Sequence, residues 1–118
     1  MLNLKLKDMN QFQLFWVNLD PTVGAEMQKT RPCLIVSPDE MNSFLSTVII
    51  SPLTSTERDL PTRILIKATR QSGLKNDSYA VLDQIKTVDK SRLSNQIGEI
   101  SEYEKHAVSD ALKTMFDY

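Results

Sequence analysis

The chain has 118 residues, 41% of them hydrophobic and 25% charged, with a formal net charge of -1. That length supports one domain around a single hydrophobic core and is too short for two, so residues 1–118 are read as one unit. With a pI of about 5.8, the chain is not one that coats nucleic acid through bulk charge.

The charge is uneven. Residues 99–118 hold five acids against two bases, which leaves twelve bases and ten acids before them. A weakly positive body with an acidic tail can still hold a short anionic strand through placed residues. Met1 to Lys7 alternates apolar and polar residues without an apolar leader region, so no signal peptide is expected. No apolar run approaches the ~20 residues that cross a bilayer, and a cytoplasmic protein with no membrane partner is the expectation. Cys33 is the single cysteine, in an apolar run, which excludes an intrachain disulfide and a thiolate metal cluster and suits a buried small side chain.

Phe12 to Leu19, rich in Phe, Trp, Val and Leu, predicts a strand that ends at the Asp20-Pro21 turn signal. A polar loop, Asp20 to Arg31, follows. At about a dozen residues it has the length of a functional rather than a merely connecting loop. Arg31 precedes Pro32, which favours an extended backbone and sets the guanidinium at the mouth of the next strand, where it could hold a phosphate.

Cys33 to Ser37 predicts the second strand, and Pro38 to Asn42 a short helical turn capped by Ser37. Thr47 to Leu53 is the third and most β-branched strand, with Pro52 placing its end at an edge or bulge. Thr62 to Lys67 is the fourth, followed by a loop over Gln71–Asp77. Tyr79–Leu82 and Gln84–Val88 form one interrupted strand region, then a short turn at Lys90–Leu93 and a brief strand at Gln96–Ile100.

The terminal segment carries the clearest helical signal. Ser101 with Glu104 is a capping box, and Ala107, Val108, Ala111, Leu112, Met115 and Phe116 recur at helical spacing, for packing on the sheet or on a second subunit. Short strands followed by one helix predict an α+β fold, mostly β, as a strongly bent antiparallel sheet or open barrel.

The residue inventory limits the chemistry. His106 is the one histidine, read as a surface or packing residue, so neither a histidine pair nor a histidine metal site fits within one subunit, and no metal or cofactor is expected. No glycine-rich phosphate loop and no Gly-x-Ser-x-Gly elbow is present. Glu26, Arg31, Thr54, Ser55, Asp83 and Gln84 remain, all at predicted strand ends or beside them. Arg31 offers a planar fork that matches phosphate oxygens, Thr54 a hydroxyl, and Glu26 a proton acceptor or an orienter of Arg31. Structural readings compete: an Arg31–Glu26 salt bridge, Thr54 capping a turn, Asp83 tying down a loop.

Four segments in order resemble the MazF/PemK/Kid family of type II toxin–antitoxin toxins. They are Phe15-Trp16-Val17-Asn18-Leu19-Asp20-Pro21, Gly24-x-Glu26 followed by Arg31-Pro32, Pro52-Leu53-Thr54-Ser55, and Asp83 to Leu93. The resemblance implies an SH3-like barrel with a terminal helix and a homodimer with single-stranded RNA along its interface. It implies a metal-independent, sequence-specific endoribonuclease that inhibits translation and growth. The reaction it implies is attack of the 2′-hydroxyl on the adjacent phosphorus. A cognate antitoxin is the implied protein partner, with DNA bound only through the antitoxin complex.

Arg31 and Thr54 match the family's catalytic arginine and threonine, and Glu26 an acid of the same loop. Arginine is a poor base near neutral pH, so Arg31 is assigned charge stabilisation and protonation of the leaving 5′-oxygen, and Glu26 acceptance of the 2′-hydroxyl proton. Lys29, Thr30, Ser55, Asp83 and Gln84 are the expected substrate contacts, with Gln84 able to read a base edge. Trp16 either stacks on a base or joins the core or an interface.

Two departures from the family pattern stand out. Met27-Gln28-Lys29-Thr30 occupies a stretch where relatives commonly carry Gln and glycines, and Val81 stands where some carry an arginine. A rival reading is a non-catalytic toxin of the same fold that blocks a protein such as DNA gyrase through a C-terminal helix ending in Met115, Phe116 and Tyr118.

Overall fold

The computed structural model describes residues 9–117, so the reading of Met1 to Lys7 lies outside the described residues. Seven strands form a single antiparallel sheet: β1 (Gln13–Asn18), β2 (Thr30–Ile35), β3 (Thr47–Thr54), β4 (Arg63–Ile66), β5 (Ser78–Val81), β6 (Lys86–Asp89) and β7 (Leu93–Glu99). Their order is β4-β5-β3-β2-β1-β7, with β6 also paired to β3. A short helix α1 (Asp39–Phe44) and a terminal helix α2 (Glu102–Met115) complete the fold. Among the described residues no helix is long and apolar enough to cross a membrane.

The bent sheet buries both faces. Phe15, Val17, Cys33, Ile35, Val48 and Ile50 fill one core, while Leu14, Leu34, Leu53, Ile66 and Ala80 fill a second with Val108 of α2. Neighbouring residues of β2 therefore point into different cores. This is why 33–36 is continuously apolar instead of alternating, as expected for a strand covered on both sides. Cys33 is fully buried, and burial pushes its thiol up to about 12, so it packs as an inert small hydrophobe.

Strand β3 explains Pro52. Thr47–Ile50 pairs with β6 and Leu53–Thr54 with β5, so Ser51 and Pro52 sit in the gap where the neighbour changes. The proline is thus tolerated inside a central strand, at the break in one ladder rather than at a sheet edge.

The sheet does not close by strand pairing. The segment after β4 fills the seam instead, where Glu99 N donates to Gln71 O at 3.0 Å. Gly98 lies against this seam with no room for a side chain.

Several boundaries differ from expectation. β2 begins at Thr30, so Arg31 stands on a strand, and its ladder with β3 starts only at Cys33. The first residues of β2 are therefore open along one edge. Ser37 does not cap α1. Its hydroxyl donates to Asn42 Oδ1 at 2.6 Å and accepts from Ile49 N at 3.0 Å, while Pro38 occupies the cap position without a side-chain bond. β7 starts at Leu93, before the expected Gln96, and its Ser94, Asn95 and Gln96 are exposed on an edge strand.

The capping box of α2 forms as expected from Ser101 and Glu104. Glu104 does more, since its Oε2 also accepts from Lys67 N at 2.9 Å and ties the helix start to the end of β4. Leu112 and Met115 pack on the second core, but Phe116 is exposed and Tyr118 lies outside the described residues. The C-terminal apolar residues thus do not form one outward surface.

Candidate active site

β2 and β3 carry Arg31 and Thr54 to one open groove of about 610 Å³. Arg31 donates from Nε to Gln28 O at 3.1 Å and from Nη1 to Leu53 O at 3.2 Å. The second bond reaches the residue just before Thr54, so the guanidinium is fixed beside it. Among the described residues no carboxylate pairs with Arg31, and the rest of its fork is left for a ligand. Thr54 Oγ1 accepts from Thr56 N at 3.2 Å, which supports the turn and leaves the hydroxyl proton free to donate. Ser55 lines the same groove.

Trp16 lies in register with Pro32 and is 40% exposed on this groove, so it is not a core residue. An exposed indole offers an aromatic face on which an unstacked base can stack. The loop Gly73–Asn76 also lines this groove, a contribution that nothing in its sequence announces.

Glu26 stands elsewhere. With Asp83, Gln84 and Lys86 it lines a neighbouring groove of about 450 Å³, and its Oε1 accepts from Val23 N at 2.8 Å. The structure therefore brings Arg31, Thr54 and Ser55 together and leaves Glu26 one groove away, with no Arg31–Glu26 ion pair. The loop that carries it is closed at its neck by Leu19 N to Lys29 O and Lys29 N to Asp20 Oδ1, both 3.0 Å. These bonds hold Lys29 in a left-handed conformation, φ 69°, which costs about 1–2 kcal/mol in a residue with a side chain. Lys29 and Thr30 are exposed beside Arg31 in the chain.

Asp83 and Gln84 are occupied with holding the structure together. Asp83 takes a two-pronged bond from Arg63, Nε to Oδ1 at 2.9 Å and Nη2 to Oδ2 at 3.3 Å, plus Thr62 Oγ1 at 2.9 Å. The Arg63 hydrogen bonds hold its carboxyl below the usual range against the opposing effect of burial, with Thr62 assisting. Gln84 Oε1 accepts from Met27 N at 2.7 Å and its Nε2 donates to Ala25 O at 3.4 Å, so the amide latches the loop.

The rest of the Asp83–Leu93 segment is likewise scaffold. Arg92 donates to Asn18 O and Asp20 O, and buried Lys90 donates to Asn42 O. His106 is exposed on α2. Among the described residues no group of three His, Cys, Asp or Glu is placed to hold a metal ion.

The Asp83 pair gives a pH prediction. A carboxyl whose folded pKa is depressed stabilises the fold above its unfolded pKa, and that contribution is lost as pH falls through the folded value. Thermal melts of Asp83→Asn are expected to show a lower midpoint than wild type at pH 7, and the gap should narrow as pH falls below the usual carboxylate range toward the depressed folded value. The Asp83 side chain is 37% exposed and screened, so the difference should be modest.

Residues 10–116 match the family model described as "PemK-like, MazF-like toxin of type II toxin-antitoxin system". The chain is 34% identical to the endoribonuclease EndoA of Bacillus subtilis over 102 residues, which is 85% of this chain and 87% of that protein. Among solved structures it resembles Mycobacterium tuberculosis toxin MazF-mt6, with 28% identity, a TM-score of 0.75, and 89% of this chain and 96% of that one covered. It also resembles a mycobacterial endoribonuclease in complex with its cognate antitoxin, with 25% identity, a TM-score of 0.74, and 90% and 92% covered. A family match along nearly the whole chain, on a bent antiparallel sheet with a terminal helix, shows that this chain belongs to the PemK-like, MazF-like toxins of type II toxin-antitoxin systems.

Proposed function

We propose that this chain is the toxin of such a system and acts in the cytoplasm as an endoribonuclease on single-stranded RNA, most simply mRNA. The observation that carries the reading is the meeting of Arg31 and Thr54 on one open groove, with the Arg31 fork pinned to the carbonyl preceding Thr54.

A phosphodiester seated there meets donors on its non-bridging oxygens from the free part of the guanidinium and from the Thr54 hydroxyl. Charge grows on those oxygens as the 2′-oxygen attacks phosphorus, so donors already in place favour the transition state over the ground state. The new 2′-O–P bond replaces the P–O5′ bond, leaving a 2′,3′-cyclic phosphate and a 5′-hydroxyl. Glu26, in the neighbouring groove, is the proposed acceptor of the 2′-hydroxyl proton. The departing 5′-oxygen takes a proton from the Arg31 side, which regains one from solvent. Lys29, Thr30 and Ser55 extend the contact along the strand.

A homodimer and a cognate antitoxin complete the proposal. The solved relative bound to its antitoxin supports the second of these. An acidic antitoxin segment laid over Lys29 and Arg31 would occupy the groove that RNA needs.

Incubating purified protein with a long single-stranded RNA in excess EDTA is expected to give discrete cuts with 5′-hydroxyl ends. Glu26→Gln is expected to slow them and remove the acid-side inflection of the pH–rate profile. Intact RNA after incubation with folded, antitoxin-free protein would sink the proposal, and an unaltered profile in the variant would remove Glu26 from it.

A further inference from the structure

Sequence alone marks Asp83 and Gln84 as readers of the substrate, yet each already hydrogen-bonds other parts of the protein, Asp83 to Arg63 of β4 and Gln84 to the Ala25–Met27 backbone. The opposite holds for the loop between β4 and β5. Lys75 and Asn76 are exposed on the groove that holds Arg31 and Thr54. Among the described residues neither side chain takes part in an ion pair or a hydrogen bond.

Their loop is nonetheless rigid. Ser72, 1% exposed, donates to Lys67 O at 2.8 Å and accepts from Thr69 N at 2.9 Å. Asp77 Oδ1 accepts from Ala68 N at 2.8 Å, and Ser78 Oγ donates to Asn76 O at 3.0 Å. Gly73, at φ 69°, packs so tightly that a Cβ there would lie 2.2 Å from Ile97 O. Among the described residues, this hydrogen-bonded loop thus presents an unpaired ammonium and an unpaired carboxamide to the same groove that the Trp16 indole lines.

Resting on the ribonuclease reading, we propose that Lys75 and Asn76 form a specificity-determining RNA subsite beside the scissile position. A flanking base stacks on Trp16, Lys75 takes the adjoining phosphate, and Asn76 pairs with the base edge. The chemistry fits each part: ammonium for a phosphate, amide for two points on a base, and an aromatic face for stacking. Because the loop is ordered before RNA arrives, little ordering entropy opposes binding.

The test compares wild type, Lys75→Ala, Asn76→Ala and the remote surface control Lys113→Ala on one long RNA and one short cleaved oligonucleotide. All three positions are exposed, and unchanged melting midpoints would confirm folding. Lys75→Ala is expected to raise KM roughly fivefold on every sequence and to flatten the log–log salt dependence of binding by about 0.7. Asn76→Ala is expected to relax preference at one position of the cleavage motif by about tenfold.

If wild type cleaves and both variants keep its cleavage map, KM and salt slope, the subsite is wrong while the ribonuclease reading stands. If Lys113→Ala matches Lys75→Ala, the effect is bulk charge and the subsite is equally overturned. If wild type itself does not cleave, the reading fails and takes the subsite with it.

Discussion

Arg31→Ala is expected to lower kcat/KM for RNA cleavage about a thousandfold, measured by single-turnover cutting of a short labelled RNA. Removing one preorganised donor from an oxyanion site costs about 10²–10³ in rate. The loss should lie at the upper end here, since Arg31 contributes both charge and two-point geometry. Its guanidinium is aimed by Gln28 O and Leu53 O, so the transition state needs no reorganisation to use it.

Arg31→Lys retains the charge without the planar fork and should recover only a minor part of the rate. Stability should barely move, because Arg31 is only half-buried and its bonds go to groove-edge carbonyls. Circular dichroism separates the two effects. A rate within tenfold of wild type in the alanine variant would show that the chemistry lies outside this groove.

Gly98→Ala is expected to be strongly destabilising. A Cβ at Gly98 would stand 2.3 Å from Gln71 O and 2.4 Å from Ser72 O, both backbone atoms. Neither can swing aside as a flexible side chain could. The seam must open or β7 must shift, and overpacking of this kind costs about 3 kcal/mol. For a domain of this size that corresponds to a fall in melting midpoint of roughly 12 °C. The Glu99–Gln71 bond that joins the seam should loosen with it, visible as faster amide exchange at Glu99. A midpoint within 2–3 °C of wild type would show that the seam accommodates the methyl group.

The contrast between these variants follows from what each residue touches. Arg31 spends its bonds on aiming a charge into solvent, so its loss is felt in rate. Gly98 faces backbone that closes the sheet, so its substitution is felt in stability.

Local signals located most elements because each depends on neighbours in the chain. The Ser101–Glu104 capping box and the helical spacing through Met115 need only one turn of backbone to be read, and the helix forms where they place it. Errors arose where a distant partner overrode a local preference. Ser37 looked like a helix cap, but Ile49 N and the Asn42 amide claim its hydroxyl. Pro52 marks an edge or a bulge by local rules, and a change of neighbour along β3 provides the interrupted ladder inside the sheet.

The candidate site divides in the same way. Residue type and order alone determined the fold class and the family likeness, and through that likeness marked Arg31 and Thr54 as candidates, because a guanidinium before a proline and a hydroxyl at a strand end are read directly from the chain. Only the tertiary structure decided which polar groups remain available. It ties Asp83 to Arg63 and Gln84 to the Met27 and Ala25 backbone, sets Glu26 one groove away, and leaves Lys75 and Asn76 without side-chain partners among the described residues on the groove that Trp16 lines. The physical reason is that a polar side chain is free or occupied according to partners some twenty to sixty residues distant, and bending one sheet into two cores chooses those partners.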